Sequence, residues 1–186
     1  QQVKLSVGHH YRKGRDRTLF AFLWINNKSN FKTQTKIIEL MNWQNIKVSA
    51  DNTHFLFEGK QIFEKHFMEV LKFHSPGIAP VFDNTGAYHI AINGEAIYTE
   101  RYTRTFGYYC NRAAVVLNEK WFHINELGKQ VYHNSFLWAG NYQENLCTVR
   151  DANNHYFHID LDGHNIYSET FTYAGDFKDG IACVKT

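Results

Sequence analysis

The chain has 186 residues, enough for one domain with a substantial core, and its 44% hydrophobic and 16% aromatic content excludes a disordered polymer. Twenty Lys and Arg stand against eighteen Asp and Glu, so a formal charge of +2 supplies no strong field for a polyanion, and nucleic acid is not an expected partner. No apolar run reaches eighteen residues, so no membrane association is expected; Cys110, Cys147 and Cys183 fit neither a disulfide framework nor a metal knuckle, which points to a reducing, cytoplasmic setting unless an N-terminal targeting segment has been removed.

Residues 1–42 differ from the rest. Residues 1–40 hold eight basic and two acidic side chains, and the cluster Arg12, Lys13, Arg15 and Arg17, beside His9 and His10, reads as a solvated basic edge. V-K-L-S-V and T-L-F-A-F-L-W-I have the composition of two strands, and F-K-T-Q-T-K-I-I-E-L-M-N-W has the apolar spacing of a short helix flanked by Asn30. The segment is expected to form an N-terminal α+β cap that closes the first edge of the downstream β structure.

From residue 43 to residue 186 the chain repeats itself. Val81, Val115, Val149 and Val184 recur at steps of 34, 34 and 35 residues. The same step relates His89, His123 and His158; Ile90, Ile124 and Ile159; Gly94, Gly128 and Gly163; and Tyr98, Tyr132 and Tyr167. His54, Phe55 and Gly59 extend the columns upstream. A period of this length signals a supersecondary unit that buries its apolar face only by stacking on its neighbours.

Each unit reads as short strands separated by turns. Residues 145–150 form one strand, Y/W-F-H-I the next, and K/H-x-V/I-Y a third. Asn125 and Asp160, each three positions before a glycine, suit a tight turn in which the first side chain accepts backbone N–H bonds and the glycine enters the left-handed region. Alternation places Phe122 and Ile124 on a core face and Trp121, His123 and Asn125 on a mixed aromatic and polar surface. The expected fold is mainly β: tandem antiparallel β-hairpin repeats of 34–35 residues in an open stack, the last repeat incomplete, with a solenoid or a partly closed propeller-like ring as the alternatives.

Two runs carry a family resemblance. F-K-D-G-I-A-C-V-K at 177–185, through Phe177, Gly180, Ala182 and Val184, and W-F-H-I-N-E-L-G-K-Q-V-Y at 121–132, through Trp121, Ile124, Asn125 and Gly128, resemble the bacterial WG-type, or KWG, β-repeats. Ile159, Asp160 and Gly163 repeat the second motif. The resemblance covers roughly residues 45–186 and is that of a divergent relative: Phe122 stands where the family has glycine after tryptophan, and Asn111 and Asn145 stand where it has the glycine of Gly180. It implies a repetitive β architecture, sometimes beside catalytic domains, and no catalytic residue of its own.

The sequence holds no G-x-G-x-x-G, phosphate loop, H-E-x-x-H, C-x-x-C or G-x-S-x-G motif. His54, His89, His123 and His158 form a parallel column suited to repeated packing, whereas a tetrahedral metal centre needs nitrogens that converge. No catalytic residue, metal ligand or cofactor is therefore expected. Trp121, Trp138, Tyr156 and Tyr173 are the candidate binding residues, with Arg104 and Arg112 as rim groups; Tyr108 and Tyr109 beside Arg101, Arg104 and Arg112 form a second candidate patch. The expected function is a noncatalytic module for protein recognition or for scaffolding an adjacent domain of the parent chain. A composite His/Asp enzyme site and a glycan-binding surface built on the aromatics are the alternatives.

Overall fold

The computed structural model describes residues 41–186. The sequence expectation of an N-terminal cap over residues 1–42 falls almost wholly outside this range. A 3-10 turn, Trp43–Asn45, capped by the Asn42 carbonyl side chain accepting from Gln44 N–H, leads into the first strand.

The remainder is a series of small antiparallel sheets in chain order. The first contains β1 (Lys47–Val48), β2 (Phe55–Phe57) and β3 (Lys60–Gln61); the second β4 (Glu69–Val70), β5 (Ile78–Asp83) and β6 (Gly86–Ala91). The third contains β7 (Arg104–Tyr109), β8 (Arg112–Leu117) and β9 (Lys120–Ile124); the fourth β10 (Trp138–Ala139), β11 (Cys147–Arg150) and β12 (Tyr156–Ile159). β13 (Tyr173–Ala174) pairs with β14 (Val184–Lys185) in the fifth. The series is open, with hairpin-like repeats following one another as the 34–35-residue period requires.

The register explains the apolar columns. Val81 opposes Tyr88, Val115 opposes Phe122 and Val149 opposes Phe157, while Ala79, Ala113 and Cys147 oppose Ile90, Ile124 and Ile159. Small residues on the central strand thus leave room for the isoleucines, all three of which are fully buried. Just before each new sheet the chain pairs again with the strand it has left. Ala87 and Tyr102 exchange both backbone hydrogen bonds, as do Trp121 and Phe136, and Tyr156 and Phe171. Each first strand therefore starts from a point tied to the preceding sheet, which sets the stagger of the stack.

The turns behave as the spacing predicts. Gly128 N–H donates to Asn125 O and Gly163 N–H to Asp160 O, and the Asn125 and Asp160 side chains accept from two further backbone N–H groups each. Gly94, Gly128 and Gly163 all have positive φ, and each lies against a ring of the preceding repeat, Phe63, Tyr98 and Tyr132 respectively. The glycines are needed for close approach as well as for backbone conformation.

Two expectations are corrected. Alternation assigns the histidines to a surface face, yet His89, His123 and His158 are at most 1% exposed. Both faces of an inner sheet are covered because the next sheet packs on the second one, a condition that alternation within one strand does not encode. The K/H-x-V/I-Y segments, expected as third strands, make only isolated bridges, Ile124 to Gln130 and Ile159 to Asn165. They leave the sheet because Tyr132 and Tyr167 turn inward to reach the buried histidines. The third position of the sheet is filled instead by the start of the unit, such as Trp138–Ala139.

Candidate functional site

The histidine column is a connector between repeats. His89 Nε2–H donates to Phe106 O (2.8 Å), His123 Nε2–H to Gly140 O (2.9 Å) and His158 Nε2–H to Gly175 O (2.8 Å). A carbonyl can only accept, so in the neutral ring Nδ1 is the acceptor, and it faces a tyrosine hydroxyl of the same repeat: Tyr98, Tyr132 and Tyr167 in turn. Each imidazole also packs at 4.7 Å on an aromatic ring of the following repeat: Tyr108, Tyr142 and Phe177. Burial pushes His89 and His123 down to about 4, so both are neutral at pH 7; it pushes the Tyr98 and Tyr132 hydroxyls far up. Both ring nitrogens are committed, and the histidines do not converge. Among the described residues no group of three His, Cys, Asp or Glu side chains could hold a metal ion. His54 departs from the pattern: its Nδ1 meets the Thr53 hydroxyl and its ring meets His66.

The candidate aromatics, by contrast, are brought together. Strand register sets Arg104, Val116 and Trp121 in one row of the third sheet, and Trp138, Arg150 and Tyr156 in the equivalent row of the fourth, with Tyr173 and Lys185 in the fifth. Ring centroids run from Trp121 to Trp138 at 6.4 Å, on to Tyr156 at 6.3 Å and to Tyr173 at 6.0 Å. Phe106 extends this ladder at its other end, stacking on Trp121 at 5.1 Å with an interplanar angle of 16°. Trp121, Trp138 and Tyr156 are half-buried, and Tyr173 is 53% exposed. Phe106 and Arg150 escape sequence reasoning. The signal for Phe106 was its place in a column with Gly140 and Gly175, where a large ring is out of pattern.

The arginines separate. Arg104 is exposed on the ladder row. Arg112 sits four residues from Val116 at the far end of β8, roughly 13 Å away along the strand, where its guanidinium donates to Asn111 O. Arg150 lies on the ladder row instead, its guanidinium carbon 5.6 Å from the Tyr156 ring centroid. The second candidate patch is brought together only in part: Tyr109 and Arg112, both half-buried, oppose each other at the end of the β7–β8 pair. Tyr108 is buried against His89, and Arg101 lies 3.8 Å over the Tyr88 ring while donating to backbone carbonyls.

One further polar cluster ties the second sheet together. The Lys65 ammonium donates to Asp83 (2.6 Å) and to the Tyr88 hydroxyl (2.7 Å), Tyr88 donates to Asp83 (2.8 Å), and Thr85 donates to Asp83 through both its N–H and its hydroxyl. Burial by itself would raise the Asp83 carboxyl, but these donors hold it well below the usual carboxylate range. Burial likewise works against the Lys65 charge and is outweighed by Asp83 and Tyr88, which push the ammonium upward. Asp83 remains ionised and Lys65 protonated at neutral pH, an arrangement that holds charge in place and offers no nucleophilic amine.

Fold and ladder together define a stacked antiparallel β-repeat protein with a continuous aromatic edge. Residues 159–186 match the family described as WG containing repeat. No curated protein matches the chain. Among solved structures, the computationally designed Ika8 protein aligns at 14% identity with a TM-score of 0.43, covering 74% of this chain; this chain spans half the length of that one. Among the described residues no helix is long and apolar enough to cross a membrane.

Proposed function

We propose that the repeat stack is a noncatalytic recognition module that binds a polypeptide, either a separate protein or an adjacent domain, along its aromatic ladder. The observation that supports this reading is the unbroken run of five rings, Phe106, Trp121, Trp138, Tyr156 and Tyr173, across three successive sheets. Rigid half-buried rings lose little side-chain entropy on binding and present a large contact area, and Arg104, Arg150 and Lys185 on the same rows supply a polar rim. The stack repeats this chemistry at regular spacing, so contacts that are weak singly accumulate along its length. The paired histidines and the Lys65, Asp83 and Tyr88 cluster serve stability in this reading, which leaves the chemistry of the module to its edge.

The test compares the wild type with a Tyr156→Ala/Tyr173→Ala double variant by affinity capture from a native lysate of the source cell, after circular dichroism has shown both to be folded. The module should retain a defined protein, and loss of two contact rings should weaken retention by on the order of tenfold or more. Equal retention by both forms would remove the ladder from the interface. Binding to immobilised glycans without protein retention would transfer the ladder to the carbohydrate alternative.

A further inference from the structure

The ladder breaks off at Phe106 because the position that would continue it is Ala87. Glu69, Phe82 and Ala87 form the row of the second sheet that corresponds to Arg104, Val116 and Trp121 in the third and to Trp138, Arg150 and Tyr156 in the fourth. The last-strand member of this row is therefore a large ring in the two following repeats and a methyl group in this one. At each later junction that ring meets an aromatic of the next sheet, Trp121 with Trp138 and Tyr156 with Tyr173. Between the second and third sheets no such pair exists.

In its place is a cleft of about 380 Å³. Glu69 borders it from β4 and Leu71 from just after that strand, Phe82 and Ala87 line it from β5 and β6, and Arg104 and Phe106 border it from β7. An apolar cavity of about 150 Å³ suffices for benzene, so the space admits an indole or phenol with part of its backbone. Glu69 and Arg104 are exposed, and the side chain of neither makes a hydrogen bond or ion pair with the other described residues. Arg101 over Tyr88 and Arg150 near Tyr156 show guanidinium groups and rings already meeting elsewhere in the stack.

We propose that this cleft receives one aromatic side chain of a partner polypeptide, a tryptophan or tyrosine, whose ring occupies the position that Trp121 and Tyr156 fill in the next two repeats. The incoming ring contacts Phe82 and Phe106, Arg104 faces its π-system, and the Glu69 carboxylate accepts from the indole N–H or phenol O–H. A leucine side chain would fill part of the space but would satisfy neither charged group. The proposal rests on the recognition reading only for the polypeptide nature of the ligand. The cleft itself is separate from Trp138, Tyr156 and Tyr173.

Saturation-transfer NMR with N-acetyltryptophanamide and N-acetylleucinamide at millimolar concentration tests it. The tryptophan amide should receive saturation from the wild type, and the leucine amide much less. Ala87→Trp should supply the missing ring from within and abolish transfer, whereas Arg104→Glu should weaken binding by about two- to fivefold. Tyr156→Ala/Tyr173→Ala should leave transfer unchanged, so failure of the ladder and failure of the cleft are read separately. Absence of transfer to the tryptophan amide, equal transfer to the leucine amide, or transfer that persists in folded Ala87→Trp would overturn the proposal. If Ala87→Trp does not fold, Arg104→Glu decides, and unchanged affinity in that variant overturns it as well.

Discussion

The Tyr132 hydroxyl donates to Nδ1 of His123, nine residues earlier in the same repeat, and thereby commits the other imidazole nitrogen to donate to Gly140 O in the next. One side-chain pair thus sets a tautomer and joins two sheets, and the pairs His89 with Tyr98 and His158 with Tyr167 repeat the arrangement. Burial disfavours the charged imidazole of His89 and His123, and the neutral ring uses both of its nitrogens in this setting.

Stability should therefore fall as the solution is acidified. His89 and His123 are depressed from an ordinary 6.5 to about 4 by burial. Above pH 6.5 both folded and unfolded states hold them neutral, and they add no pH dependence. Between pH 6.5 and 4 the unfolded chain binds protons that the folded chain excludes, so each costs about 1.4 kcal/mol per pH unit, roughly 3 kcal/mol by pH 4. Asp51, lowered to about 2 by hydrogen bonds from Ser49 and Thr53, titrates below this window. Urea unfolding at pH 7, 5.5 and 4.5 should show the decline; a flat profile would remove the neutral assignment.

Tyr132→Phe keeps the ring and deletes the donor, leaving His123 Nδ1 buried without a partner. Loss of stability should be about 1–3 kcal/mol in chemical denaturation. Tyr173→Phe, at an exposed ring, should change stability by less than about 0.5 kcal/mol and serves as the comparison.

Gly128 and Gly59 separate two demands on a turn glycine. Both have positive φ, +73° and +77°, but a Cβ at Gly128 would lie 2.5 Å from the Tyr98 ring, whereas nothing lies within 4 Å at Gly59. Gly59→Ala should cost about 1 kcal/mol for backbone conformation. Gly128→Ala should cost about 3 kcal/mol or more, because overpacking against Tyr98 is added. Equal shifts in thermal unfolding would show that the inter-repeat contact contributes little.

Cys110 and Cys183 are exposed, whereas Cys147 is buried with its thiol hydrogen directed to Gly140 O and its titration pushed far up by burial. A thiol reagent should modify two cysteines of the folded protein rapidly and the third only on unfolding. Rapid modification of all three would mean that the fourth sheet opens readily.

Much of the architecture was legible in the chain itself. The columns headed by Val81, Ile90, Gly94 and Tyr98 defined the repeat, because residues that occupy equivalent positions in stacked units meet the same neighbours and keep the same size. The Asn125 and Asp160 turns were legible for a local reason: the side chain that accepts the turn N–H bonds and the glycine that adopts positive φ lie within four residues of each other. The aromatic candidates Trp121, Trp138, Tyr156 and Tyr173 were named by composition and position, and recognition through them remains a proposal.

What alternation within one strand could not determine is which faces meet. His123 occupies an outward position by period two, yet it is buried because the fourth sheet lies over it, a contact between residues 17 and 19 positions apart. The same holds for Arg112, which shares composition with the rim arginines but lies at the opposite end of its strand, and for Arg150, which nothing local distinguishes from a solvated cation. The ladder and the cleft beside it also depend on stacking. Trp121 meets Trp138, and Ala87 leaves a gap, only because single backbone bridges tie each last strand to the chain segment that begins the next sheet. The sequence by itself determined the unit and its period through local hydrogen bonding and residue size. The juxtaposition of units, and with it every contact between them, was decided by the tertiary structure, because burial is a property of the second surface as much as of the first.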